Sequence, residues 1–474
     1  MKKSKALIGG TAIAALTIYL TGPSLAQEED GRLRVSLGLQ QTIGSGDNLS
    51  LGVAGSAANP EEGRSSLATT DLALNIASET RSDSFNLLLG GSLRFGSLPA
   101  GSRTETGFVD PVAELHYSRE SANATFSFDA SYNESDISGS RPLWDFSDEE
   151  NVIRPPSDLA SLTGTGTRKA SDVRLDLQTG LNSPIGFHLT AGAGRIRYSN
   201  ASSATLTPSD RANVGLSTLF RFDQATTAVL DLRATRYDNS VGPASKTETV
   251  EAGFDRELAN GGKFSVRLGY TDIKNGTATG SSGGSGSLSY GAPLPNGSYL
   301  ASYSLSRTSN GSIDTVRFNR AFTLPTGSLS VDLGASSLQG ATPRVIGGLN
   351  WLRQTPTGNY SVRLNRSVTS DGNNQDRFTT TLAAQFSHKV NAYSSVYTNF
   401  SYYLTDSTAA ENQVERTNLS VGYAYALTDD WALNAGVSLV SRNESLGGAP
   451  GSTTLGKAKS NQVFVSLSRR FDLN

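Results

Sequence analysis

The sequence predicts an all-β chain: a transmembrane, antiparallel, up-and-down β-barrel of about 22 strands, within a range of 20–24, with no separate plug domain. Three observations carry that expectation. Apolar residues recur at every second position along most of the chain, in rows of about ten residues, the length of a tilted membrane strand. Short polar turns alternate with longer polar connections. The non-apolar face of the rows carries charge in mid-strand, where only water or an opposite charge can satisfy it. The hairpin over residues 418–440 shows the unit. Leu419, Val421, Tyr423, Tyr425 and Leu427 alternate with Asn418, Ser420, Gly422, Ala424 and Ala426. Thr428, Asp429 and Asp430 make a polar break, and Trp431, Leu433, Ala435, Val437 and Leu439 resume the period.

Composition agrees with a wall rather than a core. The 474 residues include 49 Gly, one Met and no Cys, and only 36% are hydrophobic, low for a soluble chain of this length. No Cys means no disulfide and no thiol chemistry. The formal net charge of −2 gives no preference for nucleic acid. At the N-terminus, Lys2, Lys3 and Lys5 precede an apolar run over residues 6–20, then Gly22, Pro23 and Ser24-Leu25-Ala26. This is the layout of a signal peptide over residues 1–26, with cleavage expected after Ala26 and export of the rest. The apolar run is too short for a membrane anchor, and no later run of about 18 apolar residues offers a helical span. Residues 27–474 are then one barrel domain, and residues 27–31 are too few for a plug.

The rows follow in order. Leu33, Val35, Leu37 and Leu39 open, and Leu49, Leu51 and Val53 continue on the same odd phase. Leu72, Leu74 and Ile76 come next, then Phe85, Leu87, Leu89, Leu93 and Phe95, then Val109, Ala113, Leu115 and Tyr117. Ala122 to Tyr132 alternate strictly for eleven positions. Residues 134–169 break the pattern as the longest loop, and strands resume at Val173, Phe187, Val214, Ala228, Val250 and Phe264. A Gly/Ser stretch over 275–286 reads as a loop. After it, Pro295-Asn296-Gly297, Pro325-Thr326-Gly327 and Pro356-Thr357-Gly358 punctuate further rows as hairpin turns. Val463, Val465, Leu467 and Phe471 close the chain.

Counting Leu33–Leu39 and Leu49–Val53 separately gives an odd number of rows, which would put the two termini on opposite sides of the membrane. A single long strand over 33–53 restores the even count usual for such barrels. Short turns are expected near Thr80, Glu120, Ser183, Asp223, Asn260, Asn296, Thr326, Thr357, Asn391 and Asp429, all on the periplasmic side. The lumen is expected to be lined by Arg94, Asp129, Arg174, Asp231, Arg233, Arg267, Arg317, Asp332 and Arg363, most of them paired across strands. Tyr423, Tyr425 and Trp431 are expected at the periplasmic lipid interface.

Across residues 27–474 the chain resembles outer-membrane β-barrel proteins. More narrowly, Leu33 to Leu51, with Gln40, Gln41 and Asp47-Asn48-Leu49, resembles the opening strand of uncharacterised alphaproteobacterial barrels, similar to a family associated with exopolysaccharide production. The C-terminal row resembles the signal read by the barrel-assembly machinery, although Asp472-Leu473-Asn474 follow Phe471 where a terminal aromatic is usual. The resemblance implies the outer membrane as location. It implies as partners outer-membrane lipid and lipopolysaccharide, the assembly machinery and polysaccharide-export components.

Candidate chemistry is sparse. His116, His188 and His388 fall on three separate strands, and with no Cys there is no metal-ligand spacing. Gly280-Ser281-Ser282-Gly283-Gly284 matches G-x-S-x-G by letters but lacks a strand-to-helix elbow. No catalytic residue, cofactor or metal is assigned, and the chain is not expected to be an enzyme. The one candidate element is the 134–169 loop. Trp144 and Phe146 could anchor it in the lumen as a constriction, with Asp148, Glu149 and Glu150 repelling anions, or it stands outside as a surface loop. The leading expectation is a pore for hydrophilic solutes or exported polysaccharide. A non-conducting structural or surface-interaction barrel is the alternative, and a barrel enzyme the third.

Overall fold

A computed structural model describes residues 31–55, 60–102, 104–137, 166–201, 206–240, 244–276, 278–339, 341–370, 376–407, 412–446 and 456–473. Among them there are 22 strands and no helix. They are β1 Arg34–Asp47, β2 Arg64–Glu79, β3 Asp83–Ser97, β4 Gly107–Glu120, β5 Ala124–Asp136, β6 Thr167–Thr179, β7 Ile185–Ser199 and β8 Ser209–Arg221. There follow β9 Thr226–Asn239, β10 Ser245–Glu257, β11 Lys263–Asn275, β12 Ala278–Leu294, β13 Gly297–Thr308, β14 Gly311–Leu324 and β15 Gly327–Leu338. The last are β16 Arg344–Thr355, β17 Gly358–Ser370, β18 Asp376–Lys389, β19 Ser394–Ser407, β20 Asn412–Ala426, β21 Trp431–Leu446 and β22 Gly456–Asp472.

Each strand pairs antiparallel with its sequence neighbours, and β22 returns to β1 in a register from Ser36↔Asp472 to Gly46↔Gln462. The sheet is therefore a closed barrel without an edge. The period of two then sorts side chains by face. Outward positions are apolar and bare, with Leu268 71% and Val345 65% exposed, as lipid contact requires. Most inward positions are polar, as with Asp231 at 6% exposure, while a few such as Val440 and Ile346 form small apolar patches.

Ten tight turns gather at one end, with Gly31 and Leu473, and they match the ten expected positions. Side chains shape several of them. The Asp223 carboxylate accepts from the backbone N–H of Ala225 and Thr226, each at 2.7 Å. Asn391 Oδ1 accepts from Tyr393 and Ser394 N–H, and Thr428 Oγ1 from Asp430 and Trp431 N–H. The outward face near this end carries a belt of rings. Tyr290 meets Tyr299 at 5.8 Å and Tyr360 meets Phe386 at 6.2 Å between centroids. Tyr423 and Tyr425 are exposed in the same belt, and Trp431 carries the Arg469 guanidinium 5.2 Å above its ring.

Two expectations are corrected. The first strand does not run through 33–53: β1 ends at Asp47, and Asn48 and Leu51 take φ of +48° and +51°. Such angles cannot extend a strand, so the shared odd phase of Leu49, Leu51 and Val53 is a coincidence of spacing. The even strand count survives because those residues form no strand of their own. The Gly/Ser stretch over 275–286 is largely wall: β12 starts at Ala278 and places Ser285 and Ser287 inward. Its residues are too small to print a hydrophobic period. The loop-end connections are accordingly uneven, since β13 and β14 join through two residues, as tight as any turn at the other end.

On the inner wall, large rings lie across glycines. A Cβ on Gly422 would fall 2.3 Å from Tyr397 Cζ, and one on Gly436 2.9 Å from Phe464 Cζ. Gly422→Val should displace Tyr397 and cost about 1–3 kcal/mol, read as an earlier urea-unfolding midpoint; an unchanged midpoint would mean the ring is not seated there. At the Asp223 turn, hydrogen bonds from Ala225 and then Thr226, with Arg256 nearby, hold the carboxyl below its ordinary range despite some desolvation. A depressed folded-state value stabilises above the unfolded value and is lost as pH falls through the folded one. Asp223→Ala should therefore be less stable than the parent at neutral pH. The gap should close in acid below the ordinary aspartate range, in paired unfolding curves at the two pH values.

Candidate functional site

The inner wall is charged, and most of its charges meet. The nine expected lumen residues all take inward positions in the register. Arg94 Nη2 lies 2.8 Å from Asp110 Oδ2. The β3–β4 register shifts between Gly90 and Ser92, and Asp110 at φ +54° turns its carboxylate to Arg94 there. Arg174 Nε lies 2.8 Å from Asp172, which also holds Arg211 at 2.5 Å. Arg267 binds Asp255 at 2.7 Å and Asp231 at 3.6 Å, so Asp231 turns to β11 rather than to Arg233 on its own strand. Arg317 and Asp332 stand 3.4 Å apart. Asp129 is 2.6 Å from His116 Nδ1, and Asp176 is 2.6 Å from His188 Nε2. Arg363 faces Asn350 and Ala383 across its two ladders. Among the described residues no group of three His, Cys, Asp or Glu could hold a metal.

A second feature was invisible to period counting. Of the connection between β1 and β2, residues 48–55 and 60–63 are described; they turn into the lumen and lie on the inward face of β21 and β22. Leu51, 1% exposed, and Val53 pack with Val440 and Ala458. Asn48 uses its whole amide to fix the turn. Its Nδ2 donates to Gly52 O at 2.8 Å and Lys459 O at 2.9 Å, and its Oδ1 accepts from Gly52 N–H at 2.8 Å and Glu62 N–H at 3.2 Å. Ser460 Oγ donates to Asp47 O at 2.8 Å. Arg442, also 1% exposed, donates to Leu51 O. The loop is tied onward to the β3–β4 connection. Ser50 Oγ meets Thr104 Oγ1 at 3.3 Å, and Ser102 Oγ donates to Glu62 Oε2 at 3.1 Å. Burying a Leu side chain is worth about 1.5–3 kcal/mol, enough to offset the left-handed backbone that puts it there.

The element expected to constrict the lumen was another. Trp144, Phe146, Asp148, Glu149 and Glu150 lie outside the described residues, and the flanking strands run to Asp136 and from Thr167. The signal for the 48–63 loop was Asn48 itself. Asn tolerates positive φ and follows Asp47 at the end of a strict row, which marks a turn.

No protein-family model matches the sequence, and no curated protein does. Solved structures match in fold. The FrpB iron transporter from Neisseria meningitidis (F5-1 variant) has a TM-score of 0.54 at 9% identity, covering 92% of this chain and 82% of that one. The siderophore receptor PirA from Acinetobacter baumannii has a TM-score of 0.52 at 9% identity, with 92% and 80% covered. A mutant ferric enterobactin receptor from Pseudomonas aeruginosa, in complex with enterobactin, has a TM-score of 0.51 at 10% identity, with 92% and 81% covered. The fold is that of an outer-membrane β-barrel. At such identities the likeness is one of architecture, and it singles out no exopolysaccharide-associated group.

The barrel's in-folded loop gives a direct test. Asn48→Ala removes four hydrogen bonds and leaves Gly52, Glu62 and Lys459 backbone groups without their partner, costing the seat about 1–3 kcal/mol. Proteinase K should then cut within residues 48–63 faster in the variant than in the parent, both folded in proteoliposomes. Equal cutting rates would show that Asn48 does not hold the loop.

Proposed function

We propose that this chain is an outer-membrane transport barrel whose water-filled lumen passes hydrophilic solutes, with the 48–63 loop as its constriction. One observation carries the reading: the same strands that present an apolar face outward present charge pairs such as Arg267–Asp255 and Arg317–Asp332 inward. Charges of that density belong against water. The inner face of β12 and β13 adds Ser285, Ser287, Ser302 and Ser304, a hydroxyl surface suited to hydrated cargo. An exported polysaccharide is the polymeric case of such cargo. The names of the structural neighbours, an iron transporter and siderophore receptors, support transport as the class. No catalysis is assigned to the chain.

In this reading residues 1–26 are the export signal, the tight-turn end is periplasmic and the loop end external. Outward-facing Lys246, Glu248, Asp272 and Lys274 at the loop end then sit at headgroup level, where lipopolysaccharide is the partner. The C-terminal strand β22 is then the segment the assembly machinery reads.

Single-channel recording in planar bilayers tests the function. The folded protein should give stable steps, and deleting residues 49–61 should enlarge them. An absence of current from protein that keeps its heat-modifiable mobility would overturn the transport reading. Steps of unchanged size in the deletion would leave a pore but remove the loop as its constriction.

A further inference from the structure

The inner wall is not equally open around the barrel. Along β18–β22 most of its side chains are buried, among them Ala383, Ser401, Tyr403, Asn434 and Phe464. At the loop end of β13–β16 the β17–β18 hairpin lies over the wall. Buried Phe378 packs on inward Leu338 and Ile346, and the Asp376 carboxylate of β18 accepts from Thr308 Oγ1 of β13 at 2.9 Å. A run of exposed inward positions lies on the other side. It takes in Arg174 on β6, Arg211 and Asn213 on β8, and Arg233 and Thr235 on β9. Ser287 on β12 and Ser298 on β13 continue it toward the tight turns.

Three of these exposed residues are arginines, and glycines make their seats. Arg211 crosses Gly194 to reach Asp172: a Cβ on that glycine would fall 2.7 Å from Arg211 Nε and 2.8 Å from Asp172 Oδ2. Asp172 also holds Arg174, so two guanidiniums share one carboxylate. The carboxylate lies low, its side chain 22% exposed, while the longer Arg174 and Arg211 reach into water at 69% and 54%. Arg233 leans across Gly215, its Cγ 3.8 Å from where a Cβ would stand, and pairs with no carboxylate among the described residues. The acids around them are engaged. Asp231 is buried and accepts from Ser217, with Arg267 beside it. Asp255 binds Arg267, Glu251 accepts from Ser285, and Asp129 and Asp176 bond to His116 and His188. A solute at this wall therefore meets guanidinium first, and guanidinium pairs best with carboxylate or phosphate.

We infer that solutes pass along the β6–β9 wall rather than down the barrel axis, and that Arg174, Arg211 and Arg233 make this wall select hydrophilic organic anions, those carrying carboxylate or phosphate. This rests on the reading of the lumen as a solute path and names the charge class of the solute. Selection acts at contact, because salt screens the wall's charges beyond about 8 Å.

The chain has no Cys, so one introduced thiol is a unique reporter. The test is the rate at which anionic sulfonatoethyl and cationic trimethylammonioethyl methanethiosulfonate modify Thr235→Cys, beside Arg233, and Ser401→Cys, on the covered wall, in the full chain folded in proteoliposomes. Thr235→Cys should react with both reagents at least about tenfold faster than Ser401→Cys. Its anionic-to-cationic rate ratio should exceed that of free 2-mercaptoethanol, and the ratio cancels any change in thiol ionisation. Arg233→Gln should lower the ratio about threefold, the effect of one unit charge through water and salt. Arg233→Lys should keep it. With Asn213→Cys as reporter, Arg174→Gln with Arg211→Gln should lower the ratio likewise. Arg236→Gln, an equal charge loss on the lipid face of the same strand, should change nothing. Equal rates at Thr235→Cys and Ser401→Cys overturn the one-sided path. A ratio no higher than that of 2-mercaptoethanol, or one that Arg233→Gln leaves unchanged, overturns the selection. Thiol modification needs no current, so a silent bilayer with the ratios intact would sink the pore and leave the anion-selecting wall standing.

Discussion

Everything in this molecule depends on the closure of β22 onto β1. In hydrocarbon an unpaired backbone N–H or C=O costs several kcal/mol, and a strand edge presents a row of them. The register from Ser36↔Asp472 to Gly46↔Gln462 removes the last edge. With the ladder closed, side chains need only satisfy two solvents, one on each face. That is why so modest a hydrophobic content suffices: the apolar residues coat one surface and fill no common core. It is also why the inner face can be small and polar along β12 and β13, where Ser fills most inward positions without loss of pairing.

Closure also creates the space that the 48–63 loop enters. A loop returning into a wet lumen needs its own reason to stay, because no sheet edge is left for it to join. It finds two. Leu51 and Val53 complete an apolar patch with Val440 and Ala458. Asn48 then replaces the ladder with its own four hydrogen bonds. The positive φ of Leu51 is the strain such a seat tolerates, and the burial of its side chain offsets it.

How much of this could be read beforehand follows from what each feature writes into sequence. A strand facing lipid must alternate, so strands such as β5 and the β20–β21 hairpin were plain. All ten tight turns were legible, because turn chemistry is local: Asn, Asp, Pro and Gly in the right place suffice. β12 was not, because Ser and Gly fill a small-residue wall without marking either face. The seat of the 48–63 loop was not, because its partners lie about four hundred positions away in β21 and β22, and Leu49, Leu51 and Val53 imitate a strand. The inward direction of Arg267 followed from period alone. Its choice of Asp231 and Asp255 as partners depends on register, which no single strand contains.

The distribution of charge on the inner wall has a consequence for range. Paired charges such as Arg174–Asp172 and Arg317–Asp332 cancel within a few ångströms and give the lumen little net field. Salt confines what field is left: at physiological ionic strength the Debye length is about 8 Å. The loop after β1 adds a steric element to one side of that wall. It occupies the wall at β21 and β22, directly beside β20, and Arg442 beneath it stands opposite Arg416 in the ladder. A loop seated there takes up lumen volume beside β20. In the proposed transport barrel the path would narrow on the β20–β22 side, by an amount set by the Asn48 and Leu51 contacts rather than by any strand.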